Sequence, residues 1–249
     1  MKKHNLLYII TLIFSSLVIS CSGDVEPIDP AIQIPNPNNG GGNNGGGNNG
    51  GGTSTEDYWP MAVNNSWTFI KDGVNQQPMK IISTESINNS THYKYENFVG
   101  LSTEGQAFEG TIWTKKSNGN YYVRQQATIP AVPGMPSITI SPIEIIILKD
   151  FLEANQTWTQ NFTQTTTIDG IPPVQTQVSI VCKILEKDVT VTVNNVSYEN
   201  VIKVELIQNT QGQTLTNYYW FAKNIGLIKY VNIAFGLNND HDLVSYSVN

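Results

Sequence analysis

The stretch that decides the fold is VTVTVNNVSYENVIKVEL, residues 189–206. In its first five residues valine alternates with threonine, so all three valines fall on one face of an extended chain. Asn194 and Asn195 follow, and asparagine tolerates the left-handed backbone that a two-residue hairpin loop requires. Apolar residues at a period of two then resume and continue to Leu206. The stretch therefore predicts an antiparallel β-hairpin.

Most of the chain after Trp67 repeats this pattern in short alternating or β-branched runs. The runs lie at residues 79–87, 93–99, 110–116, 121–127, 137–148, 157–168, 174–186, 215–223, 227–235 and 243–248. Only residues 149–154 are suited to a single helical turn. Closely spaced strands joined by turns predict an all-β antiparallel meander. We expect residues 58–249 to form a single β-rich globular domain, because all-β chains of this length commonly share one core.

Two nine-residue segments of the sequence, residues 60–68 and 151–159, align without gaps. The alignment matches Asn64 with Asn155 and Trp67 with Trp158. Both segments are typical of a turn that leads a tryptophan into a strand. They are interpreted either as traces of two duplicated halves, residues 58–150 and 151–249, or as one turn chemistry used twice.

The first 20 residues have the features of a signal peptide. Lys2 and Lys3 give a positive start, and residues 6–19 carry no charge. As a helix at ~1.5 Å per residue this run would reach ~21 Å, short of the ~30 Å hydrocarbon layer of a bilayer. Residues 1–20 are therefore interpreted as a cleaved signal peptide rather than a permanent membrane span.

The junction VISC, residues 18–21, resembles the lipobox of bacterial lipoproteins. The resemblance implies cleavage between Ser20 and Cys21, a diacylglyceryl thioether on Cys21, and a further acyl chain on its amine. One acyl chain holds a protein at a bilayer only marginally, whereas two or more hold it stably, at ~0.8 kcal/mol per buried CH₂. The alternative is an ordinary secretory signal with an incidental cysteine, which would release a soluble protein.

The residues after the lipobox bear on the destination. In enterobacterial lipoproteins an aspartate directly after the lipidated cysteine implies retention in the inner membrane. This chain has Ser22 at that position, so the resemblance implies an outer-membrane location. Asp24 and Glu26 are similar to the acidic export signal of Bacteroidetes surface lipoproteins, although Gly23 and Val25 interrupt the acidic run. The resemblance therefore implies an outer-membrane lipoprotein, with display on the extracellular face as a further expectation.

Residues 21–57 are predicted to be a lipidated cysteine followed by a disordered linker. Four prolines lead into residues 38–52, which are NNGGG written three times. Glycine and asparagine provide no apolar surface to offset the entropy of ordering. At ~5–6 Å times the square root of its length, a linker of this size has a mean span of about 30–36 Å.

The charge balance limits the classes of partner. The formal net charge is −6, and loss of Lys2 and Lys3 with the signal peptide makes it −8. Nucleic acid and anionic membrane surfaces are therefore excluded as expected partners. Besides Cys21 the chain has one cysteine, Cys182, which alternates with Ile180 and Ile184 and is interpreted as a buried, inert thiol.

Three later stretches extend the resemblance. Residues 58–69, YWPMAVNNSWTF, look like the opening of a set of uncharacterised Bacteroidetes lipoproteins, which usually have glycine where Asn64 stands. Residues 191–204 and 218–229 are similar to later strands of that set. The resemblance implies a β-rich fold with a curved open sheet or half-barrel, as in lipoprotein carriers, with a sandwich as the alternative. It carries no known activity.

Few residues suggest catalysis or metal binding. The Asp240-His241-Asp242 run could ligate a metal, but adjacent strand residues point to opposite faces, and carboxylates in a polar turn are usually solvated. His92 is the other histidine left after cleavage. Glu104 and Glu109 would make a glycosidase pair only at a defined separation across a sugar. We therefore predict a non-catalytic domain without a metal or cofactor.

Aromatic residues are the remaining binding candidates. They are Trp113, Tyr121, Tyr122, Tyr218, Tyr219 and Trp220. Where two rings are adjacent in a strand, one faces outward and could stack on a sugar, although a core role for most of them is the alternative. Residues 129–136, IPAVPGMP, form an apolar loop that either covers a sheet edge or makes a lip over an apolar cavity.

These features predict an outer-membrane lipoprotein whose β domain binds a glycan or a surface protein, or takes part in surface assembly. The second hypothesis is a carrier of an apolar ligand, and the third is a surface enzyme that acts on glycans. The membrane is the expected partner of the lipid anchor.

Overall fold

The computed structural model describes residues 56–99, 109–131, 136–234 and 237–249. In these ranges the chain forms thirteen β-strands and no helix. The strands are β1 (Ser66–Lys71), β2 (Val74–Asn75), β3 (Met79–Ile87), β4 (Ser90–Tyr95), β5 (Glu109–Ser117), β6 (Asn120–Ile129), β7 (Ile138–Lys149), β8 (Thr157–Ile168), β9 (Ile171–Val193), β10 (Val196–Thr210), β11 (Gln213–Ala222), β12 (Gly226–Ala234) and β13 (Leu237–Ser247). The predicted signal peptide, Cys21 and most of the predicted linker lie outside the described residues.

The thirteen strands belong to one antiparallel sheet that closes on itself. From β3 to β13 each strand pairs with its neighbour in sequence. β1 then joins the two ends, because Trp67 pairs with Tyr246 of β13 on one side and with Met79 of β3 on the other. Twelve strands therefore form a barrel, and β2 is attached to β1 as an extra strand.

The all-β antiparallel meander predicted from the sequence is confirmed. The expected curved open sheet, half-barrel or sandwich is a closed barrel in the structure. The closing contact pairs Ser66 with Ser247, and no local pattern encodes a register between residues so far apart. Residues 149–154, the one predicted helical turn, form a hydrogen-bonded turn without a helix, closed by Leu152 N and Lys149 O at 3.3 Å.

The hairpin predicted from residues 189–206 is present as the β9–β10 turn. Val193 pairs with Val196 across Asn194 and Asn195, whose φ angles are 46° and 65°. Two consecutive positive φ angles are the signature of a type I′ turn, the twist of which matches that of the flanking strands. A bulge with Asn200 at φ 52° interrupts the pairing further along β10.

The barrel interior is filled with large apolar side chains. Trp59, Trp67 and Phe221 are fully buried there, and the ring of Trp59 lies 5.5 Å from that of Phe221. Trp67 Nε1 donates a hydrogen bond to Ile225 O at 2.7 Å, which satisfies its polar group. Gly226 lies against this indole, and a Cβ on it would come within 3.0 Å of Trp67 Nε1.

One seam of the barrel is closed by side chains. β7 and β8 pair only where residues 138–140 meet residues 166–168. Beyond that point the Gln160 side chain takes the place of a backbone partner: Ile146 N donates to its Oε1 at 2.8 Å, and its Nε2 donates to Ile146 O at 2.9 Å. Trp158 Nε1 donates to the same carbonyl at 3.2 Å. Two polar side chains thus satisfy a stretch of strand that has separated from its neighbour.

The chain enters the barrel through residues 56–59, here called the plug segment. Tyr58 N donates to Tyr121 Oη at 2.9 Å, and Tyr121 Oη in turn donates to Asp150 Oδ2 at 3.1 Å. Lys223 Nζ lies 2.6 Å from a carboxylate oxygen of Glu56. Asn224 N donates to Asp57 O at 2.6 Å. Glu56 and Asp57, which precede the start expected at Tyr58, thus also make contacts with the barrel.

Candidate functional site

A set of charged and aromatic residues lies on the face of β3–β7 that is turned away from the core. Strand pairing sets them side by side, since Lys94 pairs with Trp113, Trp113 with Arg124, and Arg124 with Glu144. We call this set the charged cluster. Its members are Glu85, His92, Lys94, Trp113, Lys115, Tyr122, Arg124 and Glu144.

The sheet curls toward this cluster. His92 is on β4 and Glu144 is on β7, with two strands between them, so a flat sheet would separate their Cα atoms by ~14 Å. Nevertheless His92 Nε2 lies 2.8 Å from Glu144 Oε2. The contact requires the strands to bend around it, and His92 and Trp113 are only 2% and 7% exposed as a result. His92 and Trp113 are therefore shielded from solvent although they lie on the outer face.

Both carboxylates of the cluster are fully engaged. Glu144 accepts from His92 and from Lys115 Nζ, the latter at 2.5 Å. Burial raises the pKa of the Glu144 carboxyl, but the bonds to Lys115 and His92 outweigh it, so the pKa is lowered overall. Glu85 accepts from Trp113 Nε1 at 2.9 Å and pairs with Lys94 at 3.3 Å.

His92 uses both of its ring nitrogens. Nδ1 lies 3.0 Å from Ser90 O, and Nε2 contacts Glu144. Both partners are oxygens within the fold, so both ring nitrogens are occupied. Neither nitrogen is left to act on a substrate. The pair is therefore a structural contact rather than a general base beside a nucleophile.

Arg124 is the one arginine of the chain, and it occupies the centre of the cluster. Its Cζ lies 6.0 Å from the centre of the Trp113 ring. Among the described residues no carboxylate lies within 4.0 Å of it, and its buried Nε has no hydrogen-bond partner. Glu144 is its cross-strand neighbour, but that carboxylate points to His92 and Lys115 instead. The cluster thus contains an arginine that no described carboxylate neutralises.

A groove of about 460 Å³ lies beside the cluster at the end of the barrel that holds the plug segment. Lys115 belongs to both. Polar groups line much of the groove, and its two aromatic residues are Tyr93, which is partly exposed, and Trp59, which is fully buried. The lining residues are Asp57, Trp59, Met61, Ser90, Thr91, Tyr93, Lys115, Lys116 and Ser117.

Adjacent aromatic residues face opposite sides of the sheet, as the alternation predicts. Tyr121 is buried in the core, whereas Tyr122 lies on the outer face under Lys115 Nζ, 4.6 Å from its ring centre. Tyr219 packs in the interior against Tyr230, with the two rings tilted and their centres 5.1 Å apart. These placements divide the sequence candidates between core and surface.

Trp220 lies on the outer face of β11, where two lysines flank its ring. Lys203 Nζ and Lys229 Nζ lie 5.0 Å and 5.8 Å from its ring centre, and Tyr218 is 6.2 Å away. Register places the two lysines on opposite sides of Trp220. A sugar would have to displace a lysine to stack on this ring, so Trp220 is less suited to glycan binding than the sequence indicated.

The Asp240-His241-Asp242 run does not assemble a metal site. Lys229 Nζ lies 2.8 Å from Asp240 and 2.7 Å from Asp242, so an ammonium occupies the place between the two carboxylates. His241 points to the interior, where burial lowers its pKa to about 4. Across the part of the chain that the structure describes, no three His, Cys, Asp or Glu residues are grouped as a metal site would require.

Among the described residues, the remaining chemical candidates form no site. Cys182 is buried in the core, and burial raises the pKa of its thiol to about 12, so a reactive thiolate is disfavoured. Glu104 and the side chain of Glu109 lie outside the described residues, as do residues 132–135 of the apolar loop. Ile129 is buried at the start of that loop, whereas Pro136 at its end is exposed.

The two aligned turns make equivalent contacts. Asn64 and Asn155 have φ angles of 76° and 71°. Asn64 N donates to Ile81 O at 2.9 Å, and Asn155 N donates to Ile184 O at 2.7 Å. In each case the isoleucine N donates back to the next residue of the turn, Asn65 or Gln156. These backbone contacts fix the geometry of the strand that follows each turn.

The candidates that the sequence offers do not include Arg124, Lys115, Glu85 or Glu144. Arg124 is the one arginine in the sequence, and this feature of the composition could have drawn attention to it. Its grouping with Trp113 and Glu144 depends on strand register, which the sequence pattern does not specify.

No protein-family model and no curated protein sequence matches this chain. Its fold is similar to that of a crystallised protein from Parabacteroides distasonis ATCC 8503 described as a predicted lipoprotein. The likeness has a TM-score of 0.46 and 12% sequence identity, and it covers 78% of this chain and all of the other. At this level the likeness supports no inference about function.

The described ranges contain no helix with the length and apolarity needed to cross a membrane.

Proposed function

We propose that the protein is a non-catalytic lipoprotein of the outer membrane that holds a β-barrel binding domain on a long tether. The observation that carries the proposal is the placement of the plug segment. Glu56 and Asp57 are bound at one end of the barrel by Lys223 and Asn224. A tether that begins there leaves the outer faces of the barrel, including the charged cluster, accessible to a partner.

The anchor in this proposal is the acylated Cys21, for which residues 18–21 supply the recognition motif. Two or more acyl chains would hold the protein firmly. Ser22 favours the outer membrane, and Asp24 with Glu26 favours transfer to the outside. The domain would then meet partners in the medium or on the cell surface.

The absence of a catalytic role is proposed from the state of the reactive groups. The thiol of Cys182 is buried with a raised pKa. His92 has both nitrogens engaged, and His241 lies in the interior. A nucleophile needs a base within hydrogen-bond reach, and neither histidine offers one.

A carrier of an apolar ligand remains the second candidate. It would require space inside the barrel, which large side chains such as Trp59, Trp67 and Phe221 fill. Native mass spectrometry of the gently extracted protein distinguishes the two. A co-purifying lipid would favour the carrier, and a ligand-free protein that is retained on glycan or protein surfaces would favour the binding domain.

Fractionation and protease shaving test the proposal. Wild-type protein is expected in the outer-membrane fraction and should lose its domain when intact cells are treated with protease. The matched Cys21→Ser variant should leave the membrane fraction. A wild-type protein that is soluble after lysis, or a domain that survives shaving while surface controls are cleaved, would contradict the anchor or the outward display, respectively.

A further inference from the structure

We propose that the end of the barrel opposite the plug segment docks onto a neutral lipid surface, the one that holds the acylated Cys21. The inference rests on the proposed function, because it assumes the same anchor and tether. The plug segment contacts Tyr121, Lys223 and Asn224, which lie at or next to the β5–β6 and β11–β12 turns. Since neighbouring strands are antiparallel, the β6–β7, β8–β9, β10–β11 and β12–β13 turns lie at the other end.

The four hairpins that turn at this other end carry very little charge. Long runs of them contain no lysine, arginine, aspartate or glutamate, namely residues 125–143, 154–168, 170–182, 206–222 and 230–239. Asp169, between two of these runs, accepts a hydrogen bond from Ser137 Oγ at 2.6 Å. Beside the β12–β13 turn, Lys71 Nζ donates to Asn239 Oδ1 at 2.7 Å. A chain that is acidic overall thus presents an almost uncharged end.

The described residues at and beside these turns, here called the uncharged rim, expose apolar side chains. The uncharged rim consists of residues 130–131, 136–137, 169–173, 211–212, 233–234 and 237–238. Its exposed apolar residues include Pro130, Pro136, Ile171, Pro172, Ile233 and Leu237. Ile171 and Leu237 are 52% and 45% exposed. The β6–β7 and β8–β9 turns lie side by side, since Asp169 N donates to Ser137 O at 3.1 Å, so apolar groups of neighbouring hairpins share one end of the barrel.

This composition fits a lipid surface better than a glycan or a protein. A glycan is usually held by an exposed ring, and the described residues of the uncharged rim include no aromatic side chain. A protein partner is usually oriented by complementary charge, which the uncharged rim scarcely offers. Apolar turns without charge can enter the boundary between headgroups and acyl chains. The walls behind the uncharged rim expose polar residues such as Gln126, Thr139 and Gln175, so the contact stops at the turns.

The length of the tether allows this orientation. β8, with 12 residues, rises ~40 Å along its own axis, and with the usual tilt of barrel strands this gives a barrel height of ~30 Å. The chain between Cys21 and the plug segment has a mean span of about 30–36 Å. It can therefore run from the bilayer past the barrel to the plug end without being stretched. The anchor also keeps the uncharged rim close to the bilayer, so a weak contact suffices.

Fluorescence quenching of the acylated protein in vesicles tests the proposal. The protein is reconstituted into phosphatidylcholine vesicles that contain a nitroxide lipid, with a dye on a single introduced thiol. Asn238→Cys places the dye on the uncharged rim, and Ser117→Cys places it at the plug end. Cys182 is buried and Cys21 is acylated, so neither natural thiol takes the dye. We expect strong quenching at the uncharged rim and almost none at the plug end, with no loss when salt is raised from about 0.1 M to 1 M.

A matched pair of substitutions on β9 tests the apolar contact. Ile171→Glu places a charge on the uncharged rim and should shift the equilibrium from docked to free barrel at least ~10-fold, seen as a loss of quenching at Asn238→Cys. Val181→Glu makes the same kind of change on the same strand, at a position that is 37% exposed and away from the uncharged rim. It should leave the quenching unchanged. Both positions are exposed, so both variants should fold, which urea unfolding checks.

Equal quenching at the two ends of the barrel, or no quenching at the uncharged rim, would overturn the inference. So would equal quenching in the Ile171→Glu and Val181→Glu variants. A dimer in detergent that Ile171→Glu alone dissociates, without quenching in vesicles, would assign the uncharged rim to a second copy of the chain instead. Flotation of the vesicles reports the anchor separately. Protein that does not float with them contradicts the proposed function, whereas floating protein with an unquenched rim contradicts this inference alone.

Discussion

Replacement of Gln160 by leucine tests how the barrel seam is held between β7 and β8. The change keeps an apolar stem of similar length but removes the amide that binds Ile146 N and Ile146 O at 2.8 Å and 2.9 Å. Each neutral hydrogen bond is worth about 1 kcal/mol net, and a buried N–H left without a partner costs about 1–3 kcal/mol. Trp158 still donates to the carbonyl. We therefore expect Gln160→Leu to lower the free energy of unfolding by about 2–4 kcal/mol.

The measurement is urea unfolding of the full-length protein in detergent, followed by tryptophan fluorescence. A fall in the midpoint without a change in the slope would report a loss of stability in a sheet that stays intact. Gln177→Leu is the matched control, because Gln177 also donates one side-chain bond, to Thr163 Oγ1 at 2.8 Å, but on an exposed face. It should change the stability by less than about 0.5 kcal/mol.

Equal effects of the two leucine variants would refute this reasoning. They would mean that the seam is stabilised by apolar packing and that the Gln160 amide adds nothing beyond a surface contact. Amide hydrogen exchange at Ile146 gives an independent reading, since its N–H should exchange faster in Gln160→Leu than in the wild type.

Three further predictions concern stability, each measured by unfolding of purified variants. Asn64→Ala and Asn155→Ala should each lower the free energy of unfolding by about 1 kcal/mol, because alanine is strained at the positive φ of these positions. Glycine at either position should leave the stability nearly unchanged, and unequal effects at the two positions would argue against equivalent turns. Gly226→Ala should cost more than Gly73→Ala, since a Cβ at Gly226 meets the Trp67 indole while the space at Gly73 is open; the reverse order would contradict the packing. Burial lowers the pKa of His241 to about 4 in the folded protein, compared with 6.5 in the unfolded chain. Between these two pH values the unfolded state binds a proton that the folded state does not, so the folded state loses stability as the pH falls. After allowance for solvent screening, we expect the free energy of unfolding to fall by about 1–2 kcal/mol between pH 6.5 and pH 4. His241→Gln should reduce that fall, and an unchanged pH profile would remove His241 from the account.

The strands could be predicted because their signals are local. Residues 189–206 contain their own alternation and their own turn, so the β9–β10 hairpin needed no distant information. The turns at Asn64 and Asn155 were visible for the same reason, as a repeated sequence with a residue that tolerates positive φ.

Closure and the charged cluster could not be predicted in this way. The pairing of Trp67 with Tyr246 depends on the register of two distant strands, and the contact between His92 and Glu144 depends on sheet curvature. The alternation of apolar and polar residues predicts which residues share a face of the sheet, but it does not predict which of them are in contact. Trp113 was therefore singled out as an aromatic candidate, whereas its neighbour Arg124 was not.

The most direct test of the tethered-lipoprotein account is the mass of the N-terminal peptide of the mature protein, extracted from cell envelopes. The account predicts that this peptide begins at Cys21 and is heavier than its sequence by a diacylglyceryl group and an acyl chain, and that no such peptide forms in Cys21→Ser. A mature protein with an unmodified Cys21, or with an N-terminus cut elsewhere, would contradict it.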